Sequence, residues 1–183
     1  MEASLKKTSA IIVADGYTDA EFLVSFHMLK AEGFDVTVYS LNGVSVTGVM
    51  GWVYKHDTRR IELRAQYADW APVDLLVLIG GVKATEKLLL SVELSHWIRE
   101  QDDDRRIIAS ICHGGMLLVN AGIVGGRRIL SYYSNRIFIE NAGAIWPEGE
   151  EVCVDGNIIS CTHYDFSGIW MKEVLRVWRE RNP

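Results

Sequence analysis

Apolar and polar positions along this chain alternate between short continuous runs and helical spacings. Ser9 to Ala14 is a β-leaning apolar run that stops at Asp15-Gly16, which predicts a buried strand and its turn. From about Asp19, Phe22, Phe26 and Leu29 recur at helical spacing, and Gly33 supplies the stop. Val36 to Leu41 reads as the next strand. Asn42-Gly43 marks a tight turn, and Val44 to Tyr54 a small hairpin. Val73 to Ile79 is the clearest buried strand and runs into Gly80-Gly81. A helix carrying Leu90, Leu94, Trp97 and Ile98 on one face follows, with Asp102-Asp103-Asp104 as its solvated end. Arg106 to Ile111 is another strand, leading directly into Cys112-His113-Gly114-Gly115 and a helix over Met116 to Ala121 that Gly122 closes. Val152 to Val154 and Ile158 to Cys161, split by Asp155-Gly156-Asn157, predict a late hairpin. Trp170, Val174, Val177 and Trp178 mark the buried side of a last helix.

Strands alternating with helices, the central strands apolar on both faces, predict an α/β fold with a mostly parallel sheet covered on both sides. No repeat, low-complexity tract or linker divides the chain, so residues 1–183 read as a single domain. In such sheets, sites gather at the carboxyl ends of the strands. Asp15 to Glu21, Gly80-Gly81 and Cys112 all fall there, so segments far apart in sequence converge on one edge.

Composition narrows the class. Apolar residues make up 49% and charged residues 23%, which is globular rather than disordered. A net charge of −5, with only the short basic pairs Arg59-Arg60, Arg105-Arg106 and Arg127-Arg128, argues against nucleic-acid binding and assigns those pairs to solvated faces. The apolar stretch Ala10 to Ala14 is too short for a signal peptide, and no segment reaches membrane-spanning length, so a cytoplasmic protein without a membrane partner is expected. Cys112, Cys153 and Cys161 are too few and too scattered for a disulfide scaffold, and no Cys/His spacing points to zinc. Nothing in the chain calls for a metal or organic cofactor; a GxGxxG phosphate loop is absent.

Candidate chemistry centres on Cys112. A strand, then Ser110-Ile111-Cys112-His113-Gly114, then a helix is the cysteine form of a nucleophile elbow. The turn lifts the sulfur above the sheet edge, and the helix N-terminus beside it favours a thiolate and offers N–H groups to an oxyanion. The plainer alternative is a buried Cys acting as a small hydrophobe, which is how Cys153 and Cys161 read. His113 is a candidate base or imidazolium, against a His that only packs at the elbow. Glu21 could exchange a proton with the thiol, against an acid that complements a helix dipole. Gly80-Gly81 would let the backbone approach a ligand, against a plain turn, as for Asp15-Gly16. His27, His56, His96 and His163 read as structural or solvated, with His163 at the start of the last helix. Trp52, Trp70, Trp97, Trp146, Trp170 and Trp178 read mainly as core.

Ala109-Ser110-Ile111-Cys112-His113-Gly114 resembles the nucleophile motif of the ThiJ/PfpI superfamily, in particular its PfpI-like intracellular cysteine peptidases within the class I glutamine amidotransferase-like group. Further blocks resemble the same family in order and spacing. They are Asp19-Ala20-Glu21, Leu29 to Val36, Ile79-Gly80-Gly81, Asn141 to Trp146 and Val154 to Ser160. The resemblance implies a flavodoxin-like three-layer sandwich and a homodimer or higher homo-oligomer. It implies Cys112 as nucleophile, Glu21 as the carboxyl near the thiol, and Gly81 and His113 as backbone donors of an oxyanion hole. It further implies a Glu that works with His113 from a neighbouring subunit, for which Glu86 stands at the matching distance. Thr18 stands where close PfpI-like members often carry a second acid.

The family's activities imply a thiolate adding to an electrophilic carbon. The expected function is a glyoxalase III or deglycase type of enzyme acting on small reactive carbonyls or glycated groups. A PfpI-like peptidase or amidase is the alternative. A redox-sensing stress protein or chaperone that uses Cys112 without turnover is an alternative of another class.

Overall fold

The computed structural model describes residues 7–41, 43–54, 58–61 and 72–183. Asn42, His56 and Trp70, each assigned a place above, lie outside the described residues. In chain order the elements are β1 (Thr8–Ile12), α1 (Asp19–Ala31), β2 (Asp35–Ser40), β3 (Val46–Thr47), β4 (Val53–Tyr54), β5 (Arg59–Arg60) and β6 (Leu75–Leu78). They continue with α2 (Val82–Leu88), α3 (Val92–Asp103), β7 (Ile107–Ile111), α4 (Gly115–Ala121), α5 (Arg136–Asn141), β8 (Val152–Asp155), β9 (Ile158–Cys161) and α6 (Ser167–Arg181).

The main sheet has seven strands in the order β5-β2-β1-β6-β7-β9-β8. Every neighbouring pair is parallel except β8–β9. Ala10, Ile11 and Ile12 of β1, all of β6, and Ile108, Ala109 and Ile111 of β7 are fully buried. Apolar runs of this kind suit strands covered on both faces, and each such Leu or Ile contributes about 1.5–3 kcal/mol by leaving water. Helices α1 and α6 pack together on one face, and α2, α3 and α4 on the other, which makes the flavodoxin-like three-layer sandwich. The β3–β4 hairpin stands apart from the main sheet. From β1 the chain moves outward to β2 and later returns to place β6 on the opposite side of β1. The strand order therefore reverses between β1 and β6, where open α/β sheets form a crevice.

Four expectations change. Leu90 does not share a helical face with Leu94: it is 84% exposed between α2 and α3. The chain breaks there because Ser91 starts a new helix, its hydroxyl accepting from Leu94 N at 3.2 Å. Asp102 is not part of a solvated end, nor is Arg127 on a solvated face. Arg127 donates to Asp102 at 2.9 Å, and Asn157 donates to the other Asp102 oxygen at 2.9 Å and to Arg106 O at 3.0 Å. This polar network ties α3 to the β8–β9 turn. Finally, His163 precedes a short 3₁₀ turn, Tyr164–Phe166, and α6 begins only at Ser167. The late hairpin and the buried Trp170, Val174, Val177 and Trp178 stripe follow the sequence pattern. Among the described residues, no helix is long and apolar enough to cross a membrane.

Candidate active site

The carboxyl ends of β1, β6 and β7 bring Glu21, Gly80-Gly81 and Cys112-His113 into one crevice. Cys112 opens a 3₁₀ turn directly after β7 with φ +55°, a left-handed conformation that costs a non-glycine residue about 1–2 kcal/mol. The surroundings hold it there. Cys112 O accepts from Ser131 Oγ at 2.7 Å and from Tyr132 N at 3.0 Å, and Asn135 Nδ2 supports the Ser131 hydroxyl at 3.0 Å. Gly114 lets the turn pass close under β6, since a Cβ there would sit on the Leu78 carbonyl oxygen. Strained backbone over-determined by its neighbours is a mark of functional sites.

Cys112 is 5% exposed. Its Sγ lies 3.3 Å from His113 Nδ1, and the backbone N–H groups of His113 and Gly81 are directed at the sulfur. Gly81 adopts φ +101°, and a Cβ on it would collide with the Gly16 carbonyl and Tyr17 Cα. A side chain on Gly80 would come 2.9 Å from Cys112 Cβ and from His113 N. The two glycines therefore permit the close approach of three chain segments.

Glu21 is fully buried in the first turn of α1. Its Oε2 accepts from Gly80 N at 2.7 Å, whereas Oε1 has no hydrogen-bond partner. Cys112 and Thr18 side chains lie against the carboxyl. Burial pushes Glu21 up to about 8, against the Gly80 N–H, the thiol and the Thr18 hydroxyl, which favour the charged form. Burial foremost, then the charge of Glu21, drives the Cys112 thiol upward, opposed by the His113 and Gly81 N–H groups. A carboxylate and a thiolate cannot both persist in this space. At neutral pH Glu21 holds its proton, so its repulsion of a thiolate is absent and the two backbone donors act unopposed by it.

Burial lowers His113, and the charge of Glu86 counters it. Glu86 is an exposed side chain on α2, and its field reaches His113 within the same chain. Burial raises Cys153 to about 11 and Cys161 to about 12, which leaves both as thiols in apolar strands. The hairpin is tied to the first turn of α1. Asp19 is buried and accepts from Met50 N at 2.8 Å and Trp52 N at 3.0 Å, so Asp19 and Glu21 face different tasks although they are two residues apart.

Along this chain the match to the model of the DJ-1/PfpI family runs from residue 7 to residue 177. This chain belongs to the DJ-1/PfpI family. Two curated relatives match nearly end to end. A protein named as a deglycase in Thermococcus kodakarensis is 35% identical over 92% of this chain and 98% of its own. Deglycase PfpI of Pyrococcus furiosus is 33% identical over 90% of this chain and 95% of its own. The crystal structure of Drosophila melanogaster DJ-1beta superposes with a TM-score of 0.83 at 26% identity, covering 96% of this chain and 90% of that one.

Sequence reasoning missed one wall of this DJ-1/PfpI crevice. Tyr132 stacks on His113 with ring centroids 4.7 Å apart and planes 22° from parallel. Beyond it lies His163, 5.9 Å from Tyr132 and 4.0 Å from Tyr164, its Nδ1 accepting from Asp165 N at 3.3 Å. The Tyr132-Tyr133 doublet sits in a segment without helical or strand periodicity, which hid it. His163 was within reach of the rule that singled out Cys112, because it follows the carboxyl end of β9, the strand paired with β7.

Proposed function

We propose that this chain is a cysteine-dependent enzyme of the deglycase and glyoxalase type, acting on small reactive carbonyls or their early adducts with amines and thiols. The observation that carries the reading is the fully buried Glu21 carboxyl set against the Cys112 thiol at the elbow. The relatives named deglycases support it.

In this reading the Cys112 thiolate forms a C–S bond to the aldehyde carbon of an α-oxoaldehyde. The C=O pair moves onto oxygen, which the Gly81 and His113 N–H groups receive. Glu21 gives its proton to that oxygen, then as a carboxylate takes the proton from the sulfur-bearing carbon and returns it to the neighbouring carbon while the hydroxyl proton passes to the second oxygen, leaving a thioester of a 2-hydroxy acid. Water then adds, the C–S bond breaks, and the thiol is restored. One water is consumed and no net electrons are exchanged. With an adduct as substrate, the amine or thiol leaves as a second product. His113, with Glu86 acting on it, activates the water.

The contact between His113 Nδ1 and Cys112 Sγ also suits a peptidase or amidase, in which water meets a thioester without a proton shift at carbon. Homo-oligomerisation and a cytoplasmic setting belong to the same proposal. The exposed Val49 and Met50 of the hairpin support the former.

The test is methylglyoxal consumption with lactate detection for wild type, Cys112→Ala and Glu21→Gln. Lactate from wild type that is lost in both variants is expected. Cleavage of amide substrates by Glu21→Gln at the wild-type rate, with no lactate from any form, would replace this reading with the amidase one.

A further inference from the structure

A row of aromatic rings leads away from the reacting sulfur. His113, whose Nδ1 lies 3.3 Å from Cys112 Sγ, stacks on Tyr132 at 4.7 Å between centroids. Tyr132 meets Tyr133 at 5.6 Å and His163 at 5.9 Å. Tyr133 and His163 lie 6.3 Å apart with planes 25° from parallel, and Tyr164 follows His163 at 4.0 Å. Exposure rises along the row: His113, Tyr132 and His163 are half-buried, whereas Tyr133 and Tyr164 are 49% and 46% exposed. Core tyrosines hide their rings, and these outer two leave theirs open to solvent.

The charge along the row is of one sign. Glu151 Oε2 accepts from the Tyr133 hydroxyl at 2.9 Å and from the Thr162 hydroxyl, which holds ring and carboxylate together. Among the described residues, Glu151 Oε1 has no hydrogen-bond partner and no Lys or Arg pairs with Glu151. Asp165 adds an exposed carboxylate next to Tyr164. Arg128 is committed to Glu150, and Arg136 to Glu140 and Glu148. His163 Nδ1 accepts from Asp165 N at 3.3 Å, which leaves the ring proton on Nε2 and the ring uncharged. Electron-rich ring faces beside an unpaired carboxylate attract a cation and repel an anion.

We propose that Tyr133 and Glu151, backed by His163 and Tyr164, form a subsite for a cationic group, a guanidinium being the planar fit, on the part of the adduct that leaves. This deepens the function proposed above and rests on it: among adducts of small carbonyls, those on a cationic nitrogen group are preferred over those on an uncharged thiol. The rings supply a flat seat and Glu151 supplies charge at its rim. The subsite sets selectivity and leaves the bond-making to Cys112, Glu21 and His113.

The experiment compares wild type, Tyr133→Leu, Tyr133→Phe and Glu151→Gln, after circular dichroism establishes folding. The first readout needs no turnover. Cys112 is modified with two methanethiosulfonates of opposite charge, the trimethylammonium-ethyl and the sulfonate-ethyl reagent. Each transfers its thiol group to the Cys112 sulfur and releases methanesulfinate, and Cys112→Ala supplies the blank for Cys153 and Cys161. The ratio of cationic to anionic rates, divided by that for free 2-mercaptoethanol, is expected above one in wild type. It is expected to fall about two- to five-fold in Tyr133→Leu and in Glu151→Gln, the size of one exposed cation–π contact, and to stay near wild type in Tyr133→Phe, which keeps the ring. The second readout is lactate released from the methylglyoxal adducts of Nα-acetylarginine amide and of N-acetylcysteine amide. Tyr133→Leu and Glu151→Gln are expected to raise KM for the arginine adduct about two- to five-fold with kcat little changed, and so to lower its preference over the cysteine adduct. A wild-type rate ratio of one or below, or a ratio that Tyr133→Leu and Glu151→Gln leave unchanged, overturns the proposal. A fall in Glu151→Gln alone overturns the part given to the rings. Rate ratios that shift as expected in a protein that releases lactate from neither adduct leave the cation subsite standing and remove the deglycase reading instead.

Discussion

Two side chains carry energy that a native fold would not retain without use. Cys112 keeps a left-handed backbone, and Glu21 keeps a carboxyl where water cannot reach it. The first predicts an ordering of variants. Cys112→Ala retains the strain and Cys112→Gly relieves it, so the Gly form is expected to be more stable than the Ala form by about 1 kcal/mol, read from urea midpoints. The second predicts a pH dependence. Glu21 titrates near 4.5 when unfolded and near 8 when folded, so between those values the native state holds a proton that the unfolded chain has lost. Stability therefore falls as pH rises through that window, by about 1.4 kcal/mol per unit at most, and levels off above it. Glu21→Gln, which still accepts from Gly80 N, should remove this slope; equal slopes in urea unfolding of both proteins from pH 5 to 8 would contradict the assignment.

At the scale of elements, the site depends on how neighbouring segments are tied. Ser91→Ala removes the cap that starts α3 and is expected to cost about 1 kcal/mol, whereas Leu90→Lys should lie within about 0.5 kcal/mol of wild type, both by thermal denaturation. Asp19→Asn leaves one acceptor for two hairpin N–H groups. Faster hydrogen exchange at Met50 and Trp52 is expected, at a cost of about 1–3 kcal/mol. The strands β1, β6 and β7 were legible beforehand because strands buried on both faces leave unbroken apolar runs. The break at Leu90 was not, because an exposed Leu one residue before a cap completes an apolar spacing as well as a buried one does. Asp102 misled for a related reason: a run of acids looks solvated until Arg127 and Asn157, distant in sequence, are brought to it.

At the scale of the molecule, the question is how many chains make one site. The field of Glu86 reaches His113 within a single chain. Mixing Cys112→Ala with Glu86→Gln subunits is accordingly expected to recover no activity beyond the separate proteins. Recovery on mixing would mean that Glu86 serves the neighbouring subunit's Cys112. Sedimentation of the mixture establishes whether subunits associate at all.

The sequence by itself determined the layered α/β fold, the elbow at Cys112 and the candidates Glu21, Gly81 and His113. Local periodicity, turn chemistry and the placement of strand ends are all properties of neighbouring residues. Only the tertiary structure decided what those residues do to one another. It turned Glu21 onto the Gly80 N–H, stacked Tyr132 on His113, and gave Asp19 to the hairpin. Burial and long-range hydrogen bonds depend on segments tens of residues apart, and it is these that assign Glu21 its proton.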